Sequence, residues 1–593
     1  MFSYNTIKYL TASLIGLAVF SVYCLTMAPT IGFIDSGELS TVAVSLGIAH
    51  PTGYPLFTLI TKIWSSLPVA QAMIVRLNIF AAFATSISVV IFFFTVISII
   101  DDGTKGNKWS ALAAASISSM FIGFSRTFWF QGLAIEVYSL HLLLIMTDLL
   151  LFVNALKFRS YNHWLLFAFM VGLSFTNHLT TILLAPAMLY WFFADHGFNR
   201  ASFKKIGILA APFIAGLSLY LYLPVRALQQ PLLNWGNPQT AERFWWHFTG
   251  KQFRIFMFSS TEAAQRQLNY FFNNLTNEFF FPVLILAGIG AVVLLFNERR
   301  KFVFISLLLV TCVAYSVNYD IHDIDSYFLL AFISIGFFAS FGIRLLLDRF
   351  DGGVARGITA SVLLIIAGAQ LYINKGEVDQ STNYLVEDYT KNILLNLPPD
   401  AIVISYQWDY FVAASYYYQY VNGLRPDVTV IDKELLRRSW YFAQLEKMHP
   451  DLSRRSQKEI QLFLVELYKF EHDLPYDFTV IESRYTQLLN SFIQKNPDRT
   501  IFITPEIETQ YTAGFIRIPE GLVLRLSTDT LYHPISDPEI QFRNFSGTDS
   551  YSRQITMLTR NALLLRAQYE EVHGKSIPAQ FYLKKASEIP IKY

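Results

Sequence analysis

Residues 73–100, MIVRLNIFAAFATSISVVIFFFTVISII, carry a single charge, Arg76. The run is long enough to cross a bilayer as a helix. Working outward, comparable apolar segments lie at 8–28, 109–125, 136–156, 162–178, 179–194, 205–224, 279–297, 301–318, 327–347 and 356–373. The pattern predicts a polytopic α-helical membrane protein with about eleven transmembrane helices. The segments meeting at Asn177-His178 are short, which fits a broken or re-entrant element. Overall, 53% of residues are hydrophobic and 15% charged, a profile that excludes an ordinary soluble enzyme. The net charge of +2 gives no reason to expect a nucleic-acid partner. Cys24 and Cys312 both fall inside apolar runs and are poor disulfide candidates. The first apolar run is too long for a signal-peptide core and lacks a small-residue cleavage site, so it reads as the first span.

Charge in the short loops sets orientation. Lys105/Lys108, Lys157/Arg159, Arg200/Lys204/Lys205, Arg299/Arg300/Lys301 and Arg344/Arg349/Arg356 fall in alternate loops. Those loops are expected to be cytoplasmic. The loops at 29–72, 126–135, 177–178, 225–278 and 319–326, with everything after about 375, then face outward.

The division expected is a membrane domain over 1–375 and a soluble extracytoplasmic α/β domain over 376–593. Within the latter, Ala401–Ser405 and Val428–Ile431 read as buried strands flanking an aromatic helix near Tyr410–Tyr420. Arg499–Thr504 and Leu522–Leu526 read as further strands and 553–575 as a helix. No glycine-rich phosphate loop, metal-spaced Cys/His set or fixed-period repeat is present.

The outward loops hold most of the chemistry-bearing residues. Asp35-Ser36-Gly37-Glu38 places two carboxylates three residues apart, on one face if Gly37 opens a helix. Such a pair can accept a proton or bind a metal. Asp-Ser is equally an ordinary helix cap. His50-Pro51-Thr52-Gly53-Tyr54-Pro55 is a rigid turn holding a histidine close to those carboxylates in sequence.

Arg126, followed by an aromatic run, suits a lipid phosphate. Glu136, at the start of a span with Tyr138 after it, is harder to dismiss as surface polarity near hydrocarbon. His178 reads either as a satisfied core group or as a ligand. The loop from 225 carries Arg226, then Asn234-Trp235, then an amphipathic aromatic-basic stretch with Lys251 and Arg254. Its three cations suit a phosphate group or lipid headgroups. The turn Asp320-Ile321-His322-Asp323-Ile324-Asp325 is dense in carboxylates and permits a divalent metal, with a solvated polar turn as the alternative.

Taken together, these motifs resemble one family of the GT-C class of membrane glycosyltransferases. That family, long labelled a domain of unknown function, includes the human endoplasmic-reticulum O-mannosyltransferase that acts on IPT domains of receptors. The resemblance rests on Asp35–Glu38 with Leu46–Leu56, Phe128-Trp129 with Glu136–Ser139, and Asn177-His178. It also rests on Leu223–Ala227 with Asn234-Trp235, and on Asp323–Tyr327. It covers roughly residues 10–345 and is less sharp in the tail, where Arg425–Val428 still matches. Thr52 stands where a second proline is common.

The resemblance implies an inverting transfer of a sugar, with mannose the expected one, from a polyprenyl-phosphate donor to Ser/Thr of a protein acceptor outside the cytoplasm. It implies Asp35 as catalytic base with Glu38 beside it. Donor phosphate or lipid binding then falls to Arg126, Arg226, Lys251 and Arg254. Substrate binding falls to His50, Tyr54, Glu136, Tyr138, His178, Asn234, Trp235, His322, Asp323 and Asp325. A divalent metal is the one cofactor this reading leaves open. Transfer to a glycolipid or glycan, or a transporter or flippase for a lipid-linked sugar, are the rival functions. The active side would be periplasmic in a bacterial inner membrane and luminal in the endoplasmic reticulum.

Overall fold

A computed structural model describes residues 3–100, 107–350, 353–535, 540–545 and 549–590. Lys105, one of the residues used for loop orientation, lies outside them. The chain forms two compact units. The first comprises 1–27, 50–228 and 238–381. The second comprises 28–49, 229–237 and 382–593.

In the first unit every apolar segment expected from sequence is helical. Six helices among the described residues are long and apolar enough to cross a bilayer. They become seven if Thr261–Glu278 and Phe281–Asn297, which meet at 110°, form one broken span. The expected eleven therefore includes shorter helices such as Lys108–Gly123 and Tyr161–Phe175. At 16 and 15 residues and 1.5 Å per residue, these fall short of a hydrocarbon core about 30 Å thick. The segment after Asn177-His178 starts as a 3₁₀ turn, Leu179–Leu184, and continues as helix Ala185–His196. It is thus broken at its outset, as its length suggested.

Glycine pairs hold two helix crossings backbone to backbone. A Cβ on Gly290 would lie 1.8 Å from the Phe338 carbonyl oxygen, and one on Gly342 would lie 2.0 Å from that of Leu286. Gly172 and Gly216 do the same between Tyr161–Phe175 and Arg200–Leu217, at 2.1 and 2.3 Å. Between apolar helices in lipid, such close van der Waals contact replaces the missing hydrophobic driving force.

The second unit is built on a five-stranded mixed sheet, order β2-β1-β3-β5-β4. Its strands are β1 (Ile402–Ser405), β2 (Thr429–Asp432), β3 (Ile501–Ile503), β4 (Ile516–Glu520) and β5 (Val523–Ser527). β1 runs parallel to β2 and β3, with Val403 opposite Val430 and Phe502. Every residue of these three strands is buried, as their near-continuous apolar runs require. β4 was not expected from sequence because it contains Pro519. It forms at the sheet edge, where a proline costs no ladder bond. Helices 439–448, 457–471 and 478–494 share an apolar core with the sheet through Phe442, Phe463, Tyr485 and Leu488.

Two short stretches distant in sequence complete this unit. Ile48 donates its N–H to the Leu233 carbonyl at 2.8 Å, and Trp235 returns a bond to the Ile48 carbonyl at 3.2 Å. Helix Ser36–Ser45 packs on helix Ala413–Tyr420.

Candidate functional site

In the second unit, Asp35 occupies the N-cap of helix Ser36–Ser45, where a short carboxylate ordinarily accepts from the first-turn amides. Its side chain makes no cap bond. Oδ1 instead accepts the indole N–H of Trp408 at 2.7 Å. The residue before it is tethered as well, Ile34 donating its N–H to the Asp409 carbonyl at 2.7 Å. Both anchors come from one wide π-type turn, Trp408–Val412, leaving the end of β1. Glu38, one turn on, is fully buried, and it and Asp35 bring carboxylate oxygens within 4.8 Å of one another. Two carboxylates so close can share a proton or ligate one hard cation.

Trp235 packs between Trp408, at 5.3 Å and 86°, and Trp440, at 5.0 Å and 34°. Asn234 is tied into this frame, its backbone N–H donating to Gln444 Oε1 at 3.2 Å and its side-chain amide to Asn237 Oδ1 at 3.0 Å. A further carboxylate sits at the carboxyl ends of β1 and β3. Glu506 accepts the Gln407 amide at 2.7 and 2.8 Å, and Gln407 in turn accepts the Tyr389 hydroxyl at 3.0 Å. Burial pushes the Asp432 carboxyl, at the end of β2, up to about 7.

In the first unit a second group of expected residues converges. The turn after His50 runs through Gly53 at φ 86° and Tyr54 at φ 44°. A Cβ at Gly53 would lie 2.8 Å from both His247 and Leu223, so glycine is needed for space as well as for φ. The turn brings the Tyr54 hydroxyl 2.9 Å from His50 Nε2 and lays its ring parallel to His178, centroids 6.0 Å apart. Tyr138 and His141 close on the same imidazole at 5.2 and 5.0 Å. Thr180 Oγ1 lies 2.7 Å from His178 Nδ1 and 3.0 Å from His141 Nε2, bridging the two rings.

The remaining candidates of the first unit are dispersed. Glu136 stands at the N-cap of helix Val137–Phe158 and accepts the Val137 N–H at 3.3 Å. Arg126 pairs with Glu377 at 3.4 Å in an exposed contact. Arg226 ends the helix Tyr222–Leu228 and interacts with the Tyr222 hydroxyl. Lys251 lies over the Trp246 ring at 3.9 Å, and Arg254 is exposed in the same turn.

In the acidic turn, Asp320 bonds Arg266 at 3.2 Å and Asp325 accepts the Tyr270 hydroxyl at 2.8 Å. His322 is exposed and Asp323 precedes the 3₁₀ turn Ile324–Phe328. The turn thus spends two of its carboxylates on separate side chains of helix Thr261–Glu278.

Sequence reasoning missed Trp408 and His141. Trp408 sits next to the aromatic helix recognised near Tyr410–Tyr420, but nothing local marks its indole as a partner for a carboxylate 373 residues away. His141 is one helical turn from Tyr138 and shares its face, a spacing that could have found it.

Residues 35–201 match the family model described as the protein O-mannosyl-transferase TMEM260 N-terminal domain. The chain is 28% identical over 464 residues to protein O-mannosyl-transferase TMEM260 of Mus musculus, covering 73% of this chain and 64% of the mouse protein. It is 24% identical over 475 residues to protein O-mannosyl-transferase tmem260 of Dictyostelium discoideum, covering 71% of this chain and 56% of that protein. It therefore spans less than two thirds of the length of these relatives. Among solved structures, ArnT from Cupriavidus metallidurans bound to undecaprenyl phosphate superimposes with a TM-score of 0.52 at 11% identity. The match covers 89% of this chain and 99% of that one, and shows a shared fold. The chain is an integral membrane protein, and over residues 35–201 it is similar to the N-terminal domain of the TMEM260 family.

Proposed function

We infer from its similarity to the TMEM260 proteins that this chain is an inverting membrane glycosyltransferase. It moves a sugar, mannose by the names of its relatives, from a polyprenyl-phosphate donor to Ser or Thr of a protein acceptor on the extracytoplasmic side. The observation that carries the reading is Asp35. A carboxylate in the capping position that leaves the helix uncapped, and is held by a side chain instead, is arranged for a task other than helix stability.

The chemistry follows from the groups. The acceptor hydroxyl oxygen attacks the anomeric carbon as the bond from that carbon to the phosphate oxygen breaks. The leaving lipid phosphate takes the electron pair, and the sugar inverts. Asp35 accepts the hydroxyl proton in the transition state, where a carboxylate is a competent base. Glu38 supports it. The lipid phosphate is already a good leaving group and needs positive charge more than an acid. Arg226, Lys251 and Arg254 are the cations assigned to it, with Arg126 as a lipid-headgroup contact. His50, Tyr54, Tyr138 and His178 form a ring-and-imidazole surface of the kind that binds sugar hydroxyls.

The test is transfer of labelled mannose from polyprenyl-phosphate-mannose to a Ser/Thr peptide by the purified full chain. Asp35→Asn should lose at least about a hundredfold in kcat, within the range carried by a positioned base. Near-normal transfer by this variant would remove Asp35 as the base. Label appearing in lipid rather than peptide would select the glycolipid reading. Donor movement across a vesicle without turnover would select the transporter.

A further inference from the structure

We propose that Trp408 is a positioning residue for the catalytic carboxylate, so that the C-terminal half of the chain is part of the machinery that sets the base. The proposal rests on the reading of Asp35 as that base and goes beyond it.

Four observations within the second unit carry the argument. Trp408 Nε1 donates to Asp35 Oδ1 at 2.7 Å, a short distance for an N–H donor and one expected when the acceptor is ionised. Trp408 is itself confined: Trp235 meets it edge-on at 5.3 Å and Tyr416 at 6.1 Å and 73°. The backbone on both sides is fixed, Ile34 bonding the Asp409 carbonyl and Gly37 pressed on Ala413. Finally, Trp408 opens a π turn, a distortion that swings a side chain out of the ordinary helical path and recurs at functional sites.

An indole is suited to this work. It donates one hydrogen bond and accepts none, so it bonds the ionised carboxylate more strongly than the protonated acid and cannot take the substrate proton. It favours the charged base and leaves the group unable to rotate back to the helix N-terminus, where it would cap. The carboxylate is thereby presented from a rigid platform, which proton abstraction from a bound hydroxyl requires. Trp235, placed among the substrate-binding candidates from sequence, then acts one step further out, by bracing Trp408.

The experiment compares Trp408→Phe with Asp35→Asn and Trp440→Phe in the full chain. Phe keeps the ring packing and removes only the N–H. The readout is the pH dependence of kcat with polyprenyl-phosphate-mannose, because the position of its acid limb does not depend on how much enzyme folds. For Trp408→Phe the limb should move up by about one pH unit and kcat at its plateau fall about tenfold, with the donor KM unchanged. Trp440→Phe, which alters the same tryptophan cluster without touching Asp35, should leave the limb in place. An inactive Asp35→Asn together with an unmoved limb in Trp408→Phe would overturn the positioning role and keep the base. An active Asp35→Asn would overturn the base reading itself.

Discussion

A Cβ placed on Gly37 would lie 2.3 Å from the carbonyl oxygen of Ala413. The helix that carries the candidate base therefore touches helix Ala413–Tyr420 through backbone alone, and no larger residue fits without moving one of them. Gly37→Ala should cost about 1–3 kcal/mol of stability, the usual range for overpacking. It should also lower transfer, because Asp35 stands at the N-cap of the displaced helix. Gly207→Ala provides the contrast, since a Cβ there meets nothing within 4 Å. Thermal unfolding in detergent together with the mannose-transfer assay checks both. A Gly37→Ala protein with unchanged midpoint and rate would show that this contact is not tight.

Asp432 gives a pH dependence of stability. Its buried carboxyl is raised to about 7, against about 4 for an exposed one. The unfolded chain thus loses this proton as pH rises through 4, while the folded chain keeps it until about 7. The contribution of Asp432 to stability is full below pH 4 and declines between pH 4 and 7, by on the order of a few kcal/mol. Asp432→Asn stays neutral and can still accept the Leu435 N–H that Oδ1 accepts at 2.8 Å. Its stability relative to the native protein should therefore improve steadily from pH 4 to pH 7. Unfolding midpoints at three pH values in that window decide it, a constant difference being the contrary result.

How far these features could be read from sequence differs by element. The run at 73–100 and strands β1 and β2 were legible because burial on all sides leaves uninterrupted apolar residues, a local signal. β4 was not, since its ends are polar or exposed and Pro519 argues against a strand until an edge position is known. Asp35 and Glu38 were legible as chemistry, but not their surroundings. Trp408, the 229–237 segment and Ile48 meet across hundreds of residues, through single hydrogen bonds and ring contacts that leave no periodicity. The same limit applies to Glu136 and Asp325, whose contacts with the Val137 N–H and the Tyr270 hydroxyl leave no local sequence signal.

Arg566 and Glu570 form a buried ion pair, each side chain 2% exposed, one turn apart on helix Ser550–Val572. Arg566 also donates to the carbonyls of Pro519 at 2.8 Å and His533 at 2.9 Å, tying the helix to edge strand β4. Arg566→Met leaves a buried carboxylate without its cation and should cost about 3–5 kcal/mol. Adding Glu570→Leu removes the stranded charge and should recover most of that loss, although the two carbonyl bonds stay broken. A double variant no more stable than Arg566→Met would show that the carbonyl bonds, and not the ion pair, hold this edge. Chemical unfolding of the full chain, followed by tryptophan emission, measures the difference.

Arg226 is the cation best fixed for a phosphate, being half-buried on helix Tyr222–Leu228 and in contact with Tyr222, whereas Arg254 is exposed. A guanidinium offers two parallel N–H donors to phosphate oxygens, and each charge-assisted bond contributes about 1.5–3 kcal/mol. Arg226→Ala should therefore raise the donor KM by roughly 10- to 100-fold, and Arg226→Lys should restore part of the charge without the fork geometry. If the phosphate contact strengthens as the bond to the sugar breaks, kcat falls along with kcat/KM. If it is equally strong before and during transfer, only KM rises. Arg254→Ala should change KM less than threefold. Steady-state kinetics over a range of polyprenyl-phosphate-mannose concentrations separates these outcomes. An Arg226→Ala protein with the native KM and kcat would transfer the phosphate-binding role to Lys251 and Arg254.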